Sequence, residues 1–282
     1  MRRIVQEKPF LEAAQGKDEP KMAFTVHAVL PGVWHITDCM GVCMTLLEGE
    51  KSALLVDTGY GVEDVADFMR HMTELPLTVF LTHNHHDHAL GARCFPETYM
   101  LEADMADWPL FTNAEMRRRV LTQAVGKNLP VDENTFLAGE IPLPKVMRPG
   151  KLDLGGLTAE IIEAPGHTPG SAVVYVPERK LLLSGDDWNP CTWLFFPQAL
   201  GLREYRSNMR GIQLLPFEKV LCPHREALYD RWMFDDFFNA LTDGNLRAAE
   251  PVNIAPYEKI DTCQATLPHD QVFVFDWAKS GL

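Results

Sequence analysis

The stretch that decides the fold reads Leu81-Thr82-His83-Asn84-His85-His86-Asp87-His88-Ala89-Leu90. Four of the ten histidines of the chain lie in it, directly after an apolar run that predicts a short buried strand at residues 77–81. If His83 and His85 leave that strand with a period of two, both imidazoles point the same way, and a turn into a helix at Asp87 and His88 brings two more side chains beside them. Imidazoles and carboxylates gathered in this way predict a metal site.

Further candidate ligands follow later strands. His167 lies in a loop rich in Pro and Gly after a predicted strand at 157–162, Asp186 follows a strand at 180–183, and His224 follows a strand at 219–222. A zinc ion takes about four protein or water ligands, and a pair of ions needs more. Because sites in α/β sheets assemble at the carboxyl ends of strands, we expect these side chains to meet the cluster at 83–88.

The HxHxDH pattern at 83–88, GHTPGS at 166–171, SGD at 184–186 and the histidine at 224 together resemble the metallo-β-lactamase superfamily over about residues 24–240. The resemblance implies an α/β fold, a four-layer αββα sandwich with two sheets face to face, and a dinuclear metal site at the sheet edge. It implies that Asp186 bridges the two metals and that Asp57 fixes the tautomer of a ligand. The remaining implied ligands are His83, His85 and His167 on the first metal, and Asp87, His88 and His224 on the second.

The resemblance also implies an activity. Two divalent ions, with Zn²⁺ favoured and Mn²⁺ or Fe²⁺ also fitting nitrogen and oxygen donors, would share a bridging hydroxide that attacks the substrate. Asp87 would be the catalytic carboxylate that takes up and returns a proton. The expected substrate is a small-molecule ester, lactone, thioester or phosphodiester. Because true β-lactamases of the superfamily usually carry Cys or Ser where this chain has Asp186, the glyoxalase II and lactonase branches are the better comparison.

Two alternatives stay open beside the hydrolase. One is an oxidoreductase similar to the mononuclear iron persulfide dioxygenases, which metal analysis and O₂ uptake would identify. The other is a non-catalytic member that keeps the fold as a scaffold. His86 matches no ligand position, and we interpret it, with His27, His35, His71 and His269, as an ordinary packed or solvent-exposed histidine.

Composition limits the classes of function. The 282 residues are 46% hydrophobic and 23% charged, which is typical of a soluble globular protein. A net charge of −13 argues against nucleic acid as a partner, and the basic run Arg117-Arg118-Arg119 is interpreted as a solvated helix face. We expect no membrane segment and no secretory signal, and therefore a cytoplasmic protein. The six cysteines are expected to be reduced, with Cys39 and Cys43 in packing roles rather than as a zinc pair.

Domain organisation follows from the order of patterns. Residues 1–22 are predicted to form a loose N-terminal arm, and residues 23–282 a single domain. A helical insertion at about 101–147 would serve either as a lid or as the contact of a homodimer. The aromatic run from Trp188 to Phe196 either packs in the core or lines a substrate pocket beside the metals.

Overall fold

The computed structural model describes residues 24–129 and 131–282, so the predicted N-terminal arm at 1–22 lies outside the described residues. The strands are β1 Thr25–Leu30, β2 Val33–Thr37, β3 Cys43–Glu48, β4 Ala53–Val56, β5 Leu77–Phe80, β6 Tyr99–Met100, β7 Lys145–Val146, β8 Gly150–Asp153, β9 Thr158–Glu163, β10 Ala172–Val176, β11 Leu181–Leu183, β12 Cys191–Leu194, β13 Lys219–Leu221, β14 Tyr229–Asp230, β15 Glu250–Pro251, β16 Thr262–Leu267 and β17 Gln271–Asp276. The α-helices are α1 Val65–Met72, α2 His86–Ala89, α3 Trp108–Thr112, α4 Ala114–Gly126, α5 Glu133–Leu137, α6 Leu202–Gln213, α7 Arg231–Ala240 and α8 Asp243–Arg247.

Two of the sheets lie face to face and form the centre of the molecule. The first has the order β1-β2-β3-β4-β5-β6-β7, and the second the order β14-β13-β11-β10-β9-β8. Their facing side chains make a continuous apolar core in which Leu54, Phe80, Val174 and Leu181 are fully buried. Short β-branched and leucine side chains on strands of this kind pack well between two pleated surfaces.

Helices cover the outer faces of both sheets. Val65 and Met69 of α1 pack on the outer face of the first sheet, and α6 and α7 pack on the outer face of the second. Helix α1 begins where the Asp64 carboxylate accepts a hydrogen bond from the Asp67 amide, which satisfies a free N–H of the first turn. The layers therefore run helix, sheet, sheet, helix, and the predicted αββα sandwich is confirmed.

A third sheet of four strands, in the order β12-β17-β16-β15, adds to the helical layer outside the second sheet. Strand β12 pairs with β17 in parallel, with Cys191 opposite Val272. The sequence analysis does not predict this pairing, because a parallel partner about eighty positions earlier leaves no local pattern in the sequence. Phe273 of β17 stacks with Tyr205 of α6, their ring centroids being 5.9 Å apart, which joins this sheet to the core.

The edge on which the site forms is set by strand direction. β4 and β5 are parallel in the first sheet, and β11 and β13 are parallel in the second. β9 is antiparallel to β10, which is antiparallel to β11, so β9 runs the same way as β11. The loops that leave β9, β11 and β13 therefore emerge at one edge of the second sheet, as the sequence predicted from the positions of the candidate ligands.

Helices α3, α4 and α5 lie within the predicted insertion and pack against the segment that follows β5, with Leu90, Trp108, Val120 and Phe136 buried together. The interpretation of the basic run as a solvated face is wrong for its first residue. Arg117 is only 3% exposed and donates hydrogen bonds to carbonyls near the end of α5, whereas its two neighbours are exposed. No helix of residues 24–129 and 131–282 has the length and apolar character to cross a membrane.

Candidate metal centre

The seven side chains predicted as metal ligands come together at this edge. Four of them, His83, His85, Asp87 and His88, come from the segment after β5, where helix α2 begins one residue after His85. The other three follow β9, β11 and β13 of the second sheet. The centre therefore spans both sheets, and all seven predicted residues are in one cluster, where their donor atoms form overlapping groups within 4.8 Å.

Three imidazoles form the more deeply buried side of the cluster. His83, His85 and His167 are each at most 4% exposed, and the Nε2 atom of His167 lies 2.8 Å from Nδ1 of His85. Burial lowers the pKa of all three imidazoles below the ordinary value, because a charged ring would lose its hydration. Neutral imidazoles with free lone pairs are the form that binds a metal ion.

The second side of the cluster is more polar and nearer to solvent. Nε2 of His224 lies 3.7 Å from an oxygen of Asp87, and Nε2 of His88 lies 3.8 Å from the same oxygen. Burial opposes ionisation of Asp87, but the imidazoles of His88, His86 and His224 bring its pKa to about 2. Burial would likewise lower the pKa of His88, but the carboxylates of Asp186, Asp57 and Asp87 raise it well above its ordinary value.

Asp186 lies between the two sides. Its carboxylate oxygens are 3.1 Å from Nε2 of His224, 3.5 Å from Nε2 of His88 and 3.5 Å from Nε2 of His167. Burial alone would raise the pKa of Asp186, but the imidazoles of His224 and His88 hold it well below its usual range. One ionised carboxylate thus contacts histidines of both groups.

The predicted contact of Asp57 with a ligand is present. Asp57 follows β4 and accepts a hydrogen bond from Nδ1 of His88 at 3.0 Å. Its other oxygen accepts from the Thr82 amide at 2.7 Å, and the Thr82 hydroxyl donates to the same carboxylate. The hydroxyl in turn lies 3.0 Å from Nδ1 of His83. Asp57 adopts φ of 65°, a left-handed conformation that Asp and Asn tolerate better than most residues, and this turn aims its side chain at His88.

Other supports of the histidines were not predicted. The carbonyl of Trp193 lies 2.7 Å from Nδ1 of His167. The side-chain amide of Gln198 lies 3.2 Å from Nε2 of His85. The atom of that amide nearest to Nε2 is its nitrogen, and the contact leaves Nδ1 of His85 facing the cluster. Lys279 holds this loop by donating to the carbonyls of Phe196, Pro197 and Ala199, at 3.1, 2.6 and 2.9 Å.

Two buried carboxylates that the sequence analysis missed tie the ligand loops together. Asp104, 1% exposed, accepts hydrogen bonds from the Asn84 amide, the Thr168 hydroxyl and the Gly170 amide, at 3.2, 2.7 and 2.6 Å. Asp187 accepts a hydrogen bond from the backbone amide of His167 at 3.0 Å. Neither belongs to a local motif, and only the adjacency of Asp187 to Asp186 could have pointed to it.

The other histidines of residues 24–129 and 131–282 belong to none of the donor groups described above. His86 is partly exposed, and its ring meets Tyr60 edge-on at 5.5 Å. His35 is buried between the Thr45 hydroxyl and the Arg225 carbonyl, both at 3.0 Å. The members of the aromatic run from Trp188 to Phe196 differ in their surroundings. Trp188 is fully buried in the core, whereas Phe196 packs against the ring of His85, with centroids 4.7 Å apart.

The donor atoms present fit a divalent metal ion. Within the described residues, Nε2 of His83 is buried and has no hydrogen-bond partner, although it faces the other imidazoles and carboxylates. A buried polar nitrogen without a partner costs stability, so its retention at the centre of a ligand cluster is explained by coordination. Imidazole nitrogens with carboxylate oxygens suit zinc and related first-row ions.

The sequence matches relatives of related but differing activity. It is 27% identical over 168 residues to the acyl-coenzyme A thioesterase MBLAC2 of Gallus gallus, covering 53% of this chain and 59% of that protein. It is 28% identical over 148 residues to the hydroxyacylglutathione hydrolase GloC of Haemophilus influenzae, covering 51% of this chain and 65% of that protein. In both cases the chain spans less than two thirds of the relative's length.

Solved structures share the fold at low sequence identity. The metallo-beta-lactamase FIM-1 from Pseudomonas aeruginosa, in its mono-zinc form, superposes with a TM-score of 0.55 at 18% identity, over 79% of this chain and 95% of that one. The sec-alkylsulfatase Pisa1 from Pseudomonas sp. gives a TM-score of 0.58 at 15% identity, over 79% of this chain and 42% of that one. The sequence profile of the metallo-beta-lactamase superfamily matches residues 37–187, more than half of the chain. By its sequence profile, its sandwich and its clustered histidines, this chain belongs to the metallo-beta-lactamase superfamily.

Proposed function

We propose that this protein is a metal-dependent hydrolase that cleaves the thioester bond of a small molecule. The observation that carries the proposal is the convergence of seven histidine and aspartate side chains, with the partnerless Nε2 of His83 among them. The activity of the whole protein is our inference, because the chain matches only part of each relative.

Two metal ions suit this set of donors better than one. A single zinc ion takes about four ligands, whereas seven candidate side chains form overlapping groups here. His83, His85 and His167 would hold one ion, and Asp87, His88 and His224 the other. Asp186, within 3.5 Å of histidines on both sides, is suited to bridge them. We infer zinc, since the donors are mostly imidazoles, and manganese or iron would accept the same atoms.

Divalent ions in such a site lower the pKa of water toward neutrality and polarise the substrate carbonyl. The protein's own contribution is to place these ligands rigidly and to supply a proton acceptor. Asp87, partly exposed at the opening, is ionised near neutral pH, and we assign proton transfer to it. In the overall reaction the water oxygen bonds to the acyl carbon and the C–S bond breaks. The thiol leaves with one proton, and the other stays with the acid product.

The thioester is favoured among the bonds that the sequence analysis considered. Both relatives described above are named for substrates in which an acyl group is carried on a thiol, coenzyme A in one and glutathione in the other. Esters, lactones and phosphodiesters belong in the same assay panel, because the same centre can polarise their carbonyl or phosphoryl oxygen.

The proposal is tested by elemental analysis of the purified protein together with that panel. We expect two zinc ions per chain and turnover of thioesters. Asp186→Ala should lower kcat/KM by more than about 100-fold, because loss of a mere outer-shell partner already costs about 10- to 100-fold. The control is His71→Ala, in the last turn of α1 and in none of the donor groups, whose turnover should equal that of the wild type.

Other results would point to the alternatives. One iron per chain, with O₂ consumed in the presence of a persulfide, would replace the hydrolase by the oxidoreductase. Bound metal without turnover of any substrate in the panel would contradict the thioester assignment, and the absence of metal binding would favour the scaffold.

A further inference from the structure

Aromatic side chains cover one side of the metal centre. Phe111 and Phe196 lie against the ring of His85, with centroids 4.6 and 4.7 Å away, and Phe196 also meets the ring of His167 at 5.3 Å. Phe196 continues outward to Trp193 at 6.2 Å and to Tyr257 at 5.4 Å. We call Phe111, Trp193, Phe196 and Tyr257 the aromatic wall.

The wall is assembled from distant parts of the chain. Phe111 comes from α3, Trp193 and Phe196 from β12 and the loop after it, and Tyr257 from the segment between β15 and β16. Its members are not all core residues. Trp193 is 37% exposed, and Phe196 and Tyr257 are partly exposed. Aromatic side chains that stay exposed forgo the stabilisation that burial would give the fold. Exposed apolar surface beside a catalytic centre is therefore typical of a ligand-binding site.

The opposite side of the centre has a different character. There the neighbours are Asp87 and His224, both partly exposed, and Arg225, whose exposed guanidinium donates to the carbonyl of His224 at 2.8 Å. Tyr60 lies near Asp87, whose charge adds to burial in raising the pKa of this phenol. One flank of the centre is therefore mainly aromatic, with the Gln198 amide beside it, and the other is polar and charged.

We propose that the aromatic wall binds the acyl group of the substrate and selects apolar acyl groups, aliphatic or aryl, with Phe196 as the main specificity-determining residue. This rests on the thioesterase function proposed above and names its substrate class. The thiol portion of the substrate then lies toward His224 and Arg225, whose polar side chains can contact the polar groups of that portion. A short acyl group would leave most of the wall uncovered.

The first experiment compares kcat/KM for a series of thioesters from acetyl to decanoyl on one thiol. Wild-type protein should gain about two- to fourfold for each added methylene until the chain outgrows the wall, as expected for burial of apolar surface. Phe196→Ala should flatten this dependence. The matched control is Phe68→Ala, which also removes a partly buried ring stacked on another, but on α1, outside the first sheet. This variant should keep the wild-type slope.

Phe196 touches two candidate metal ligands, so the metal content of Phe196→Ala is measured first. A second variant separates binding of the acyl group from orientation of the histidines. Trp193→Ala removes a wall side chain that lies against Phe195 and Phe196, and it keeps the backbone carbonyl that faces His167. A wall that only positions histidines predicts an unchanged slope in this variant at full metal occupancy, and that result would overturn the proposal.

The second experiment does not need turnover. The Kd values of metal-loaded protein for the fatty acids from acetate to decanoate are measured by calorimetry, in wild type and in both wall variants. A Kd that falls with chain length in the wild type and less steeply in Phe196→Ala and Trp193→Ala supports the wall. A Kd independent of chain length overturns it. If the Kd falls with length but no thioester is hydrolysed, the thioesterase function is wrong and the apolar binding site stands.

Discussion

At the scale of single residues, three histidines of the centre are oriented by the ring nitrogen that faces away from the cluster. Nδ1 of His83, His88 and His167 contacts a threonine hydroxyl, a carboxylate and a backbone carbonyl, respectively. Each of these contacts leaves Nε2 facing the cluster, whereas His85 faces it with Nδ1. Such partners fix the tautomer and the ring plane before a metal ion binds. The side chains therefore lose less conformational freedom when they coordinate it.

Asp57→Asn tests this orientation. The amide keeps one acceptor oxygen, but its NH₂ group would meet a donor, either Nδ1–H of His88 or the groups of Thr82. Asn tolerates the φ of 65° at this position, so the backbone should not change. We expect metal affinity to fall by about 10- to 100-fold, measured by competition with a chromogenic chelator. Asp67→Asn, whose side chain on α1 is 40% exposed, is the control, and equal affinities for the two variants would contradict the role of Asp57.

At the scale of elements, the sequence predicted the parts that have a local pattern. The apolar runs that become β5, β9, β11 and β13 were predicted within one residue of their observed ends. The ligands were predictable because each directly follows such a run. The third sheet was not, because β12 and β17 pair over a long separation. Asp104 and Gln198 could not be found either, since each acts through a loop distant in sequence.

Asp104 belongs to a short 3₁₀ helix, Glu102–Asp107, that lies between the two ligand loops. Asp104→Ala would leave the backbone amides of Asn84 and Gly170 buried without an acceptor, and would leave the Thr168 hydroxyl to its contact with the Ser171 hydroxyl at 2.9 Å. At about 1–3 kcal/mol for each buried donor left unpaired, we expect the free energy of unfolding to fall by at least about 2 kcal/mol. We also expect weaker metal binding, because the loops of His85 and His167 lose their common anchor.

The measurements are urea unfolding of the metal-free protein and chelator competition. Glu102→Ala, an exposed carboxylate on the same 3₁₀ helix, is the control. Loss of stability without loss of metal affinity would show that Asp104 supports the fold alone.

At the scale of the whole molecule, the centre depends on how the two sheets meet. The segment after β5 carries four candidate ligands of the first sheet, and the second sheet carries His167, Asp186 and His224. Their separation is set by the apolar core between the sheets, which includes Leu54 and Leu183. Packing in that core therefore acts on the distance between the two halves of the metal site.

Leu54→Ala tests the core. Leu54 is fully buried between the sheets, so the truncation should lower the free energy of unfolding by about 2–5 kcal/mol. Leu214→Ala makes the same chemical change at a side chain that is 86% exposed, and it should stay within about 0.5 kcal/mol of the wild type. Both values come from denaturant unfolding followed by tryptophan fluorescence. Similar losses in the two variants would contradict the position of Leu54 in the core.

The hydrogen bonds from Lys279 to the carbonyls of residues 196–199 have a consequence for folding during translation. A nascent chain that has left the ribosome only as far as Leu241 already has every candidate ligand, from His83 to His224. It still lacks β17, which pairs with β12, and the lysine that fastens Phe196 and its neighbours. During translation, we therefore expect all the candidate ligands to be present before the aromatic wall, and the loop that supports His85 and His167, take their final positions.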